Sequence, residues 1–477
     1  MSPTTHSPTV AVIGGGASGT LATIHAVRAW PDARHLRIVM YDARGRPGRG
    51  IAYGTGDHSH LLNVPAGRMS ALADQPSHFL DWLCARYPDA TSWTFAPRVT
   101  YGEYLEESLF EHGRRVDFVV RDGSVTDVVR AARGFQLRSG HAAERVDAVV
   151  LATGNLPPTP LVIRGVEIPP GPHYVADPWA PDALRVVGER AGRNGTVLLV
   201  GSGLTSVDVA LTLTDTNPGV HMVCISRHGL LPRRHVTPFA EPWPVRVPDQ
   251  DTALTLQEVA ALVSAQVDAA RSAGSDWRTV VDGLRPHVST LWQRLPIAER
   301  RRFIAGPSRL WDVHRHRMAP AVGAVIGELL GRGRLEVRAA GLLDMRPTSK
   351  GYAVTLATGT TTERLDVAVV VNCTGPAVAS VHGADQLLTR LVARGLAQYD
   401  ALGLGVETDL DGRLVDGHGS SQPDLFALGP LRRGELWEST AVPEIRQQAA
   451  QVASCLRDYL AAPAAVPGRA GPAGVAD

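Results

Sequence analysis

The chain has 477 residues, 44% of them hydrophobic, with 48 Lys+Arg against 47 Asp+Glu. At roughly 150 residues per domain this predicts about three domain-sized units with buried cores, and it excludes a disordered tail or a disulfide-stapled miniprotein. A formal net charge of +1 gives no general attraction to nucleic acid or to anionic lipid.

Lys350 is the only lysine and stands in a Ser-Lys-Gly turn, which argues against Schiff-base catalysis. The cysteines, Cys84, Cys224, Cys373 and Cys455, are widely spaced and form no Cys-x-x-Cys pair. That removes a zinc ribbon and the adjacent dithiol of a disulfide reductase. Met1 to Pro8 carry no basic n-region, and no apolar run reaches the ~18 residues of a membrane span, so a soluble cytoplasmic protein is expected.

In chain order, residues 1–8 and 461–477 read as Pro/Gly/Ala-rich tails. The strand candidates between them are Val10–Ile13, Arg37–Tyr41, Ala148–Leu151, Val197–Val200, His221–Ile225, Val367–Val371 and Leu425–Ala427. Near-continuous apolar runs of this kind suit parallel strands buried on both faces. The stretch from about 250 to 330 has helical patterns such as Leu254–Ala273 and few strand signals, so a helical insertion is expected there.

Val10–Ile13 runs into Gly14-Gly15-Gly16-Ala17-Ser18-Gly19 and then a helical pattern, Thr20–Trp30. Gly14 permits the tight turn, Gly16 lets the backbone approach a pyrophosphate, and Gly19 lets the helix pack closely on the strand. The next strand ends at Asp42, whose carboxylate can accept hydrogen bonds from ribose hydroxyls; the extra Pro31–Leu36 connection accounts for the long spacing.

A second strand-turn-helix follows: Val197–Val200, then Gly201-Ser202-Gly203-Leu204-Thr205-Ser206, with Ser206 in place of the third glycine. Its next strand ends in Ser226-Arg227-His228, where an NAD site would place an acid. Without a carboxylate to repel a 2′-phosphate, and with Arg227 to pair with it, NADPH is the expected nucleotide. Two fingerprints argue for two nucleotides, and a pyridine nucleotide facing a flavin makes a hydride relay. Trp311-Asp312-Val313-His314-Arg315-His316-Arg317 places two histidines on different helix faces, so no metal is expected.

Several segments carry a family resemblance. They are Gly48-Arg49-Gly50-Ile51-Ala52-Tyr53-Gly54, Leu61-Leu62-Asn63-Val64-Pro65-Ala66, Met69-Ser70, His78–Leu83, Pro97-Arg98 with Tyr101–Leu105, Ala148–Gly154, Asn372–Pro376, and Leu428–Gly434 running into Trp437–Arg446. Together they resemble the FAD-NAD(P)-binding family of flavoproteins, relatives of the class B flavin-containing and N-hydroxylating monooxygenases. The run Met69, Asp74, Pro76, Phe79-Leu80 is similar to the flavin-lining segment of ornithine and lysine N-hydroxylases.

The resemblance implies an α/β fold of two Rossmann-like dinucleotide-binding domains. FAD would occupy 9–170 completed by 377–460, and NADPH 171–376 with the helical insertion. The implied activity is N-oxygenation of a small primary amine or amino acid by O2 through a C4a-hydroperoxyflavin, similar to the aspartate N-monooxygenases of nitrosuccinate formation. No nucleic acid or membrane partner follows, and a homo-oligomer is left open. The expected cofactor residues are Gly14, Gly16, Ser18, Gly19, Asp42, Asn63, Met69, Thr153, Gly154, Gly201, Gly203, Thr205, Ser206, Arg227, Gly429 and Glu438. Asn63, a polar group in an apolar segment, is the catalytic candidate beside the isoalloxazine, with Glu438 and the helix from Pro443 at its pyrimidine edge. Arg49, Arg68, Arg432 and Arg433 are candidates for holding a substrate carboxylate.

Two departures stand against the pattern. Gly171–Trp179 replaces the Phe-x-Gly-x-x-x-His fingerprint of flavin-containing monooxygenases, and Gly429-Pro430 replaces the Gly-Asp pair at the ribityl chain. The alternatives are an NADPH:acceptor flavin oxidoreductase without oxygen insertion and a non-catalytic flavin-binding redox sensor.

Overall fold

The β-branched run Thr9–Ile13 pairs in parallel with Arg37–Asp42 on one side and Ala148–Leu151 on the other, and from Val10 onward it is buried. Burial on both faces is why such strands read as unbroken apolar runs rather than as alternation. The computed structural model describes residues 7–140, 142–248, 252–377 and 385–462; of the expected tails, residues 1–6 and 463–477 lie outside the described residues.

The first sheet has the strand order Arg413–Val415, Ser421–Ala427, Ala148–Leu151, Thr9–Ile13, Arg37–Asp42, Asp117–Asp122. Only its first pair is antiparallel. The second sheet is parallel throughout, in the order Tyr174–Val175, Val369–Asn372, Thr196–Val200, His221–Ser226, Leu335–Ala339. This is the expected α/β class, with both fingerprints at the carboxyl ends of central strands.

The expected strand Val367–Val371 divides. Val367 ends the antiparallel strand Thr361–Val367, and the parallel strand is Val369–Asn372. Two antiparallel three-stranded sheets, over Val125–Val146 and Gly341–Val367, were not among the expected strands. Their outer strands are largely exposed and polar, so they lack the apolar run that marks a buried parallel strand.

The helix Ala17–Ala29 fills the space between the first sheet and the C-terminal helix Val442–Ala461, and all three share one core. Over 256–331 the chain is helical, from Leu256–Ser272 to Pro320–Gly331. Its first helix starts two residues later than the pattern suggests because Thr255 is the N-cap. Thr255 accepts the Glu258 N–H at 3.2 Å, and Glu258 accepts the Thr255 N–H at 2.7 Å. Among the described residues no helix is long and apolar enough to cross a membrane.

Candidate active site between two nucleotide folds

The two fingerprints are built alike. The Gly14 N–H donates to Tyr41 O at 2.9 Å and the Gly201 N–H to Ile225 O at 2.8 Å, and each glycine has φ +112°. A Cβ on Gly14 would lie 2.2 Å from Ala152 O, and one on Gly201 2.3 Å from Cys373 O. Only glycine fits either position. Gly16 and Gly203 are N-caps without a side-chain cap, so the first-turn N–H groups of Ala17–Ala29 and Leu204–Thr216 are not capped by a side chain. A Cβ on Gly203 would meet nothing within 4 Å: the cradle is open. This geometry fits a pyrophosphate at each helix N-terminus.

Other expected residues gather at the first cradle. Asp42 is buried, and its carboxylate accepts the backbone N–H groups of Arg44 at 3.2 Å and Arg46 at 2.8 Å. It stands so close to the turn that a Cβ on Gly15 would lie 2.6 Å from its own Cβ. Ser226 takes the corresponding place in the second fold, with Oγ 2.7 Å from Ser202 Oγ, and Arg227 beyond it is exposed with no ion pair to a described residue. Ser206 turns its hydroxyl onto Gly203 O at 2.7 Å. The C-terminal segment returns to the first turn: Gly429 (φ +74°) donates to Gln448 Oε1 at 2.9 Å, and a Cβ there would lie 2.5 Å from Ser18 Oγ. Thr153 Oγ1, Ser439 Oγ and Gln448 Nε2 are buried polar atoms without a partner among the described residues, as a site for a polar ligand would leave them. Gly154 (φ +73°) leaves open space beside Thr153.

A cavity of about 750 Å³ joins the two folds. Tyr53, Asn63 and Met69 wall it from the first fold, Gly201, Gly203, Thr205 and Arg227 from the second, and Arg433, Trp437 and Glu438 from the C-terminal segment. Asn63 lines the cavity; its carbonyl accepts from His235 Nε2 at 3.2 Å, and its side-chain amide has no hydrogen bond to a described residue.

Residues 11–156 match the FAD-NAD(P)-binding family model. The fold of the whole chain is similar to that of ornithine hydroxylase (PvdA) from Pseudomonas aeruginosa, with TM-score 0.64 and 16% identity over 95% of this chain and 99% of that one. It is also similar to L-lysine 6-monooxygenase from Pseudomonas syringae (0.62, 18%, 95% and 100%). A third is the ornithine N-hydroxylase KtzI from Kutzneria sp. 744, named with FADred, NADP+ and L-orn (0.60, 17%, 95% and 99%). No curated protein matches the chain.

Against the helical stretch over 256–331 the C-terminal segment sets a charged cluster. Glu438 is 4% exposed; it accepts from Trp311 Nε1 at 3.2 Å and from Arg315 at 3.3 Å. Burial alone would raise its pKa, but Arg315, His316 and Arg285 together hold it below the usual carboxylate range. Arg315 also lies 3.7 Å from Glu444, which pairs with Arg285. Arg285 and Arg315 carry no spacing signal in the sequence, because their partners lie more than a hundred residues away.

Two of the four candidate arginines are already engaged and do not line the cavity. Arg49 is paired with Glu106 at 2.8 Å. Arg432 is 1% exposed and spends its donors on Thr408 Oγ1, Asp409 O and Leu410 O. Arg68 lies 4.0 Å from Asp282 and over the Trp93 ring. Arg433 faces the cavity, stacked 4.5 Å over Trp437, with no ion pair or hydrogen bond to a described residue. The two histidines diverge as expected: His314 meets the Trp277 ring, and His316 lines the cavity. Among the described residues no cluster could hold a metal ion.

Proposed function

We propose that the protein is an FAD- and NADPH-dependent monooxygenase that oxygenates the nitrogen of a small primary amine bearing a carboxylate. The observation that carries this is the single cavity walled by the second fingerprint, by Asn63 and Met69, and by Arg433 and Glu438. The similarity of fold to proteins named as ornithine and lysine hydroxylases supports it.

In this reading Gly14, Gly16, Ser18 and Gly19 hold the FAD pyrophosphate, Asp42 its adenosine ribose, and Thr153, Gly154 and Gly429 its neighbouring polar groups. Gly201, Gly203, Thr205 and Ser206 hold the NADPH pyrophosphate, and Arg227 its 2′-phosphate. FAD, when bound, accepts hydride from NADPH and activates O2. The protein's own part is orientation and exclusion of water. Asn63 offers an unspent amide to the reacting end, Tyr53, Leu62, Val64 and Trp437 supply apolar wall, and Arg433 holds the carboxylate so that the amine faces inward. The amine must be neutral to act as a nucleophile, so turnover rises with pH toward its own pKa.

The test is purification with bound FAD, followed by NADPH consumption assays with amino acids and diamines under labelled O2. Labelled oxygen on the substrate nitrogen, read by mass spectrometry, is the expected result. NADPH consumption that returns only hydrogen peroxide, or label on carbon or sulfur, would sink the proposal.

A further inference from the structure

The helix that opens at Gly203 carries Asp208 and Thr212 one turn apart on one face, both buried and both turned toward the first fold. Arg98, at the start of Arg98–Gly113, meets Asp208 through both terminal nitrogens, at 2.9 and 3.2 Å. Its Nε donates to Leu61 O at 3.2 Å and its backbone N–H to His60 O at 2.8 Å. His60 is fully buried; its Nε2 lies 3.1 Å from Asp208 O and 2.9 Å from Thr212 Oγ1, and its Nδ1 lies 2.9 Å from Thr55 Oγ1. Thr212 in turn donates to Asp57.

We infer that Arg98, His60, Asp208 and Thr212 form a clamp that fixes the second nucleotide fold against the first, and act as positioning residues for hydride transfer. Domains within one chain move relative to each other unless something specific opposes it. Here a guanidinium holds a buried carboxylate by one hydrogen bond, to Oδ1, and one close ion-pair contact, to Oδ2, and any rotation of the helix strips Asp208 of its partner in a buried site. The clamp spans the distance that matters. Gly203, at the mouth of the second cradle, leads into the clamped helix, while His60 runs through Leu61 and Leu62 to Asn63 in the cavity wall. Arg98 itself lines the cavity.

The inference rests on the FAD–NADPH reading, and its test separates the two. FAD-loaded Asp208→Asn, Arg98→Gln and the double variant are mixed anaerobically with saturating NADPH, and flavin bleaching is followed. A misplacement of about 1 Å can cost a hundredfold in rate, so bleaching should slow by about tenfold or more, with FAD content and reduction by dithionite unchanged. The double variant should be no slower than the worse single one, since either change opens the same contact. Amide hydrogen exchange across Leu204–Thr216 should quicken in each. Thr212→Val provides a milder lesion should the charged variants fail to fold, and Thr212→Ser, which keeps the hydroxyl, should restore the rate. Unchanged bleaching at saturating NADPH in folded variants, or losses that multiply in the double variant, would overturn the clamp. If NADPH fails to bleach even the unaltered protein, the FAD–NADPH reading falls. The clamp is then decided by exchange alone, with unchanged protection in Asp208→Asn overturning it.

Discussion

Gly14 and Gly203 belong to like turns but respond differently to a side chain. At Gly14 a Cβ strikes the Ala152 carbonyl in a backbone conformation that L-residues avoid, so any substitution disturbs the fold. At Gly203 φ is −84° and the Cβ direction is empty. Gly203→Val should therefore leave FAD content and melting temperature unchanged while abolishing NADPH binding, as read by difference titration. Loss of FAD in that variant would mean that the second cradle is not a separate site. Arg227→Ala should weaken NADPH by about tenfold or more and leave NADH nearly unaffected, since a charge-assisted pair contributes about 1.5–3 kcal/mol. Equal losses would place the 2′-phosphate elsewhere. Arg433→Met should raise KM for an amino-acid substrate by a similar factor and leave the corresponding decarboxylated amine untouched. The comparison of the two substrates isolates the guanidinium from its packing on Trp437.

At the scale of elements, the helical stretch over 256–331 is tied to the C-terminal helix by charge as well as by apolar contact. Arg285, just past Trp277–Leu284, pairs with Glu444 in the first turn of Val442–Ala461, where a carboxylate is also favoured by the helix dipole. The side chains are 14% and 17% exposed. Removing Arg285 leaves Glu444 with only the longer 3.7 Å contact to Arg315, so Arg285→Met should cost about 2–3 kcal/mol in urea unfolding. A cost below about 1 kcal/mol would show that the apolar packing suffices. The buried parallel strands were legible because their apolar runs are continuous. The antiparallel strand Thr361–Val367 was not, because its exposed face carries Thr, Glu, Arg and Asp and leaves no apolar run to recognise.

For the whole molecule, two histidines shielded from solvent, the buried His25 and the partly buried His235, set a pH limit. Burial lowers His25, 3.1 Å from Ala71 O, and His235, against Asn63 O, each to about 4. Both are neutral in the folded state where the unfolded chain, with an ordinary histidine pKa near ~6.5, already binds protons. Stability is therefore full above pH ~6.5, falls as pH drops, and levels off for these groups below about 4. Each contributes on the order of 3 kcal/mol across that window. Urea midpoints measured from pH 7.5 to 4 should fall steadily, and His25→Gln should make the fall shallower. A flat profile would show that neither ring is excluded from solvent.

The two glycine turns were legible from the sequence because everything that shapes them is local. Positive φ at Gly14 and Gly201, the uncapped helix starts after Gly16 and Gly203, and the acid or arginine at the next strand end act within a single strand-turn-helix-strand unit. Arg432 and Arg433 mark the other limit. They are neighbours with the same side chain, yet one is sealed against Thr408 and Asp409 while the other faces the cavity over Trp437. The same holds for Glu438 with Arg315, Arg285 with Glu444, and Arg98 with Asp208. Burial and charge pairing depend on what the folded chain brings alongside a residue from far away, and no spacing along the sequence records that.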